Sequence, residues 1–141
     1  MKKVFLLLLT LVLFSCATTI NKTESKPLFE VLTHQEDGGA SIRFFEILSE
    51  PNEIVMLQND PKLKNKISPN DIQTSNFIVM NMGEKATRGY KTEIESIVET
   101  DKNIIITTKE IIPEPSTIVV EDITTPYCVV KINSKKEIII K

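Results

Sequence analysis

The chain has no tryptophan, a single histidine, two cysteines and four glycines in 141 residues. Each scarcity removes a class of chemistry. A Ser-His-acid triad needs its imidazole held rigidly against a nucleophile, yet His34 lies in a polar, turn-rich N-terminal stretch. A structural zinc site takes four Cys or His ligands as a rule, and the chain has too few. So few glycines leave no glycine-rich phosphate loop. The 17 Lys and Arg against 19 Asp and Glu form no strong basic cluster, and nucleic-acid binding needs grouped cations to neutralise phosphates. No catalytic residue, metal ligand, cofactor or nucleic-acid partner is expected. Cys128, set among Tyr127, Val129 and Val130, reads as a small buried apolar residue with no disulfide partner.

What is present is most distinctive at the N-terminus. Lys2 and Lys3 precede the apolar run Val4-Phe5-Leu6-Leu7-Leu8-Leu9-Thr10-Leu11-Val12-Leu13-Phe14. The lysines hold this end at an anionic cytoplasmic face while the run enters the bilayer. The run is shorter than the roughly 20 residues a spanning helix needs. Leu13-Phe14-Ser15-Cys16 resembles a bacterial lipobox. The resemblance implies removal of residues 1–15 as a signal peptide and acylation of Cys16. Each buried methylene contributes about 0.8 kcal/mol, and more than one chain gives a lasting anchor. Loss of Lys2 and Lys3, with no acid, takes the formal charge from −2 to −4. Ala17 rather than an acid follows the cysteine. By resemblance to other lipoproteins this implies the outer membrane and a periplasm-facing domain, with surface exposure also open.

Residues 16–40 read as a lipidated tether and 41–141 as one folded domain. Ala17 to Pro27 is polar and aperiodic, and Gln35-Glu36-Asp37-Gly38-Gly39 is turn-rich. The apolar group Leu28 to Leu32 between them is too short to assign. It is either a first strand or an adhesive element within the tether. Ile42 to Ile47 reads as a strand. Ser49 is the expected N-cap of a helix over about 50–58, with Pro51 in its first turn and Ile54 and Leu57 buried. Lys62, Lys64 and Lys66 lie in a loop as a solvated face.

From Asn76 onward the pattern is β. Asn76–Met82, Tyr90–Thr100, Ile104–Glu110, Tyr127–Ile132 and Glu137–Ile140 are the expected strands. In the second, Tyr90, Thr92, Ile94, Ser96 and Val98 alternate with Lys91, Glu93, Glu95 and Glu99, leaving Ile97 out of pattern. Asn133-Ser134-Lys135 is the expected turn between the last two strands. The fold class is therefore α+β and β-rich: a mostly antiparallel sheet with one short helix in a single domain. The last strand, Glu137 to Lys141, is an expected sheet edge open to a partner strand.

Gly83-Glu84-Lys85-Ala86-Thr87-Arg88-Gly89-Tyr90 is the segment that points to binding. Gly83 and Gly89 permit positive φ, and Tyr90 offers an apolar ring with a polar tip. This segment, the alternating strand to Thr100, Pro113-Glu114-Pro115, and Thr125-Pro126-Tyr127 with Val129 to Ile132 occur in an order that resembles the C-terminal domain of PrcB-type proteins, over about residues 42–133. That family has a Thr-Gly-Gly-Tyr turn opening a strand, a proline-containing connector and a Pro-Tyr pair opening a late strand. Here Arg88 replaces a glycine and Glu114 separates the prolines, so Arg88 is expected either to hold an ordinary φ or to carry a strain of about 1 kcal/mol. The resemblance implies a non-catalytic accessory subunit of an exported protease complex. The alternative is a structural or ligand-binding envelope lipoprotein without a protease partner. Candidate partner contacts are Thr87, Arg88, Gly89, Tyr90, Pro126 and Tyr127.

Overall fold

A computed structural model describes residues 26–114 and 121–141. The expected signal peptide over 1–15, Cys16, residues 17–25 of the expected tether, Pro115 and Ser116 lie outside the described residues. In chain order the elements are β1 (Phe29–Gln35), β2 (Arg43–Leu48), α1 (Pro51–Gln58), α2 (Asp71–Thr74), β3 (Asn76–Met82), β4 (Lys85–Thr87), β5 (Lys91–Glu99), β6 (Asn103–Ile111), β7 (Glu121–Thr124), β8 (Tyr127–Ile132) and β9 (Glu137–Ile140). A four-stranded sheet runs β1-β8-β3-β2 and a three-stranded sheet runs β5-β6-β9, with β4 and β7 forming a short ribbon. All the pairs are antiparallel except β6 with β9. The β-rich α+β expectation holds, with two short helices where one was expected.

The central strands β3 and β8 explain the layering. Successive side chains of a strand point to opposite faces, and both faces of these strands are apolar. Phe77 and Val129 point to a core closed by α1 and the loop after it, with Ile54, Leu63 and Leu48. Ile78, Met80 and Val130 point to a second core, closed by Ile104, Ile106 and Ile138 of the three-stranded sheet. Continuous apolar sequence therefore marks strands sandwiched between two layers. Each such side chain, fully buried, contributes about 1.5–3 kcal/mol. With no tryptophan available, aliphatic side chains dominate the filling.

Five expectations are corrected. The folded part begins before residue 40, because β1 pairs with β8 from Phe29 to Gln35. Leu32 enters the first core and Phe29 packs on the second, so the segment has two apolar faces to bury. His34 thus lies in a strand, not in a tether. Second, the N-cap of α1 is Glu50, not Ser49. Glu53 Oε2 accepts from the backbone N–H groups of both residues at 3.1 Å, which shifts the cap by one position. Third, there is a second short helix where only one was expected: α2 starts at Asp71, whose carboxylate accepts from Ser68 N–H at 2.8 Å.

Fourth, the face of β5 changes at a bulge between Ile94 and Ser96. Ile97 therefore turns into the second core, and Val98 turns out at 54% exposure. Fifth, residues 133–136 join the last two strands as expected, but those strands do not pair with each other. The turn carries the chain from the large sheet to β9, which lies parallel to β6 so that Ile138 joins the second core. No described helix is long and apolar enough to cross a membrane.

Candidate interaction surface

One end of the domain gathers the turn after β3, the β4–β7 ribbon and the strap between β1 and β2. β3 leaves the sheet at Gly83, whose φ is +74°. A Cβ there would sit 2.9 Å from the Arg43 backbone nitrogen, so both conformation and space demand glycine. β4 then pairs with β7, and the Thr124 hydroxyl donates to Thr87 O at 3.1 Å. Arg88 follows with an ordinary φ, the first of the two alternatives, because Gly89 takes the positive one at +95°.

Arg88 is a clamp. Its Nε and Nη2 donate to Asp122 Oδ2 at 2.8 and 2.7 Å, and its Nη1 lies 3.1 Å from Glu36 Oε2. Hydrogen bonding to Asp122 first, then to Glu36, holds the guanidinium even more firmly protonated than usual. The side chain remains 49% exposed. It links the ribbon to the end of β1, so most of its donors are already engaged. Tyr90 is half-buried, with Lys85 Nζ 5.3 Å from its ring centroid.

The strap is fastened by two polar side chains. Asp37 accepts from the Thr125 hydroxyl at 2.9 Å, Gly38 N–H at 3.0 Å and Thr125 N–H at 3.3 Å. These bonds, the Thr125 hydroxyl foremost, lower the Asp37 pKa, with the Arg88 charge assisting. Asn81 is buried on β3 and substitutes for a strand partner. Its amide nitrogen donates to Ala40 O at 2.8 Å and Ile42 O at 2.6 Å, while its oxygen accepts from Ala40 N–H at 3.0 Å. Gly39 N–H donates to Thr125 O at 2.9 Å. A Cβ on Gly39 would fall 2.1 Å from Asn81 Oδ1 and 2.7 Å from Thr125 O.

The expected contact residues thus divide. Thr87, Arg88, Gly89 and Tyr90 stand together at this end and reach solvent in varying degree. Pro126 and Tyr127 do not offer a surface. Pro126 is buried and its carbonyl accepts from Met82 N–H at 3.0 Å. Tyr127 is only 9% exposed and belongs to the first core, with Lys62 Nζ 5.3 Å from its ring centroid. A Pro-Tyr pair opening a central strand is covered on both faces, which corrects its reading as a contact. Glu36, Asp37, Asn81, Asp122 and Thr125 were missed. Only Asn81 carried a signal, as a lone amide inside the apolar strand Phe77–Met82.

Residues 76–133 match the family model described as PrcB C-terminal. The matched segment runs from β3 to just past β8 and includes the Gly83–Tyr90 turn, Arg88 and both strands of the ribbon. It covers less than half of the chain and begins well after residue 42, where the resemblance was expected to start. No curated protein and no solved structure matches the chain.

Within the PrcB-like segment Cys128 faces His34 across β1 and β8. The thiol is 1% exposed, and burial, followed by the charge of Glu93, pushes its pKa up to about 11. At neutral pH it is therefore a protonated thiol, a poor nucleophile. His34 Nε2 is buried without a hydrogen-bond partner among the described residues. Among the described residues no three His, Cys, Asp or Glu side chains are grouped to hold a metal ion.

Proposed function

We propose that this protein is a lipid-anchored, non-catalytic accessory subunit that stabilises an exported protease complex. The observation that carries the reading is the PrcB C-terminal match, which includes the Arg88-clamped turn. A rigid, polar-fastened end suits a docking role, because little order has to be created on binding. The protonated, enclosed Cys128 thiol supports a structural part for that residue. Anchoring through Cys16 would confine the domain to an envelope surface, the outer membrane by the residue that follows the cysteine, and raise its effective concentration there.

Two experiments test the reading. Palmitate labelling in cells is expected for the natural chain and lost in Cys16→Ser; labelling that survives the substitution contradicts the anchor. In a strain lacking the protein, an envelope protease is expected to fall in abundance and to recover with the natural chain, but less with Tyr90→Ala that still folds. Unchanged levels of every exported protease would favour a structural envelope role.

A further inference from the structure

Among the described residues the two larger sheets have four edges, and they are not equally protected. Exposed edge strands pair readily with other chains, so proteins blunt them with bulges and charges. β1 carries a bulge between Val31 and Thr33, and Lys66 Nζ caps its Leu32 carbonyl at 2.6 Å. β5 carries its own bulge and exposes Lys91, Glu93, Glu95 and Glu99. β9 is only four residues long, and its Glu137 carboxylate accepts from Asn103 Nδ2 at 2.9 Å. β2 is different. Its register against β3 is unbroken from Arg43 to Leu48, and Phe44 and Ile47 are exposed on opposite faces. Its one cation is occupied, since Arg43 pairs with Glu110 at 2.9 Å and stacks on Phe45.

Beside β2 lies a groove of about 320 Å³ against α1. Leu48, Met56, Leu57 and Val79 give it apolar walls, and Met56 is 74% exposed. Glu46, Glu53 and Asp60 line it too, with Glu53 Oε2 accepting from the Ser49 and Glu50 N–H groups and Asp60 Oδ1 from Lys62 N–H. None of the three forms an ion pair among the described residues. Two of the nearby lysines are directed elsewhere: Lys62 to the Tyr127 ring and Lys66 to β1.

We propose that β2 and this groove take an extended segment of a partner protein in which basic and apolar residues alternate. The backbone of the segment would add to the free edge of β2, the mode called β-augmentation. Every second side chain would then face α1. Lys or Arg suits those positions, because its methylene stem covers apolar wall while its head reaches a carboxylate. The intervening side chains would lie on the other face beside Ile47, where apolar residues fit. A second copy of this chain fits less well, since it would bring two acidic grooves together. The proposal rests on the accessory-subunit reading only in taking the occupant to be a protein.

The test titrates the full chain with a synthetic heptapeptide, acetyl-Lys-Val-Arg-Val-Lys-Val-Arg-amide, followed by calorimetry and amide chemical shifts. Binding is expected, with shifts centred on residues 43–48 and 53–57. Affinity is expected to drop at least tenfold in Glu46→Lys and in Met56→Lys, two exposed positions that leave both cores intact. A peptide with Glu at each basic position is expected not to bind. Absence of binding at millimolar peptide, equal affinity for the acidic peptide, or unchanged affinity in both variants overturns the proposal. So does β2-mediated self-association of the chain in place of peptide binding. Failure of the natural chain to bind the peptide, while it still stabilises its protease in cells, overturns β2 as the surface and leaves the accessory role standing.

Discussion

Gly39→Ala is expected to be costly although it adds one methyl group to a half-exposed position. The φ at Gly39 is not in the left-handed region, so the penalty is steric rather than torsional. The new Cβ would lie 2.1 Å from Asn81 Oδ1 and 2.7 Å from Thr125 O, and the second of these is backbone. Relief requires the strap to lift. Lifting breaks Ala40 N–H to Asn81 and Gly39 N–H to Thr125 O. Two net hydrogen bonds are worth about 1–3 kcal/mol, and a buried amide left unsatisfied adds about 1–3 kcal/mol. The stiffer unfolded chain returns about 0.4–1 kcal/mol. The net loss is therefore about 1–5 kcal/mol. Urea unfolding is the assay, with the midpoint falling at an unchanged slope. The double variant with Asn81→Ala should cost less than the two single losses combined, since the nearest clash is gone. A loss below about 0.5 kcal/mol for Gly39→Ala, or simple additivity with Asn81→Ala, would refute the reasoning.

Two titratable groups give pH signatures of opposite sign. The raised Cys128 pKa means its contribution is complete below the ordinary thiol value of 9.0 and is lost as pH climbs through about 11. A Cys128→Ala chain should lack that alkaline fall in stability, and iodoacetamide should label Cys128 at pH 8 only after unfolding. The lowered Asp37 pKa works the other way: its contribution is present above the ordinary carboxylate value of 3.8 and disappears as pH falls through the folded value. Asp37→Asn should therefore lower stability at pH 7 and flatten the acid limb of the curve, as read by thermal melts across pH.

Strand identity was legible in the sequence wherever apolar runs or alternation were long, as in Asn76–Met82 and Tyr127–Ile132, because burial on both faces leaves a continuous signature. What was not legible depended on partners distant in sequence. Whether Leu28 to Leu32 was strand or tether was decided by the free edge of β8. The direction of β9 was decided by β6, a long-range choice that a short polar turn does not encode. Ile97 was visible as an exception in an alternating strand, and a bulge is the physical reason. At the candidate site, the turn at 83–90 was readable from its glycines. Tyr127 was misread because an aromatic with a polar tip serves a core as readily as a surface. The partners of Arg88 come from residues 36 and 122, so local pattern held no trace of the clamp.

The accessory role is tested most directly by crosslinking in living cells, with a photoreactive residue introduced at position 90, followed by affinity capture and mass spectrometry. The expected result is one exported protease, or a subunit bound to it, recovered reproducibly and lost when the same group is placed at position 98, at the far end of β5. Recovery of only abundant envelope proteins, equally from both positions, would contradict the protease role and leave the PrcB-like segment as a statement about fold alone.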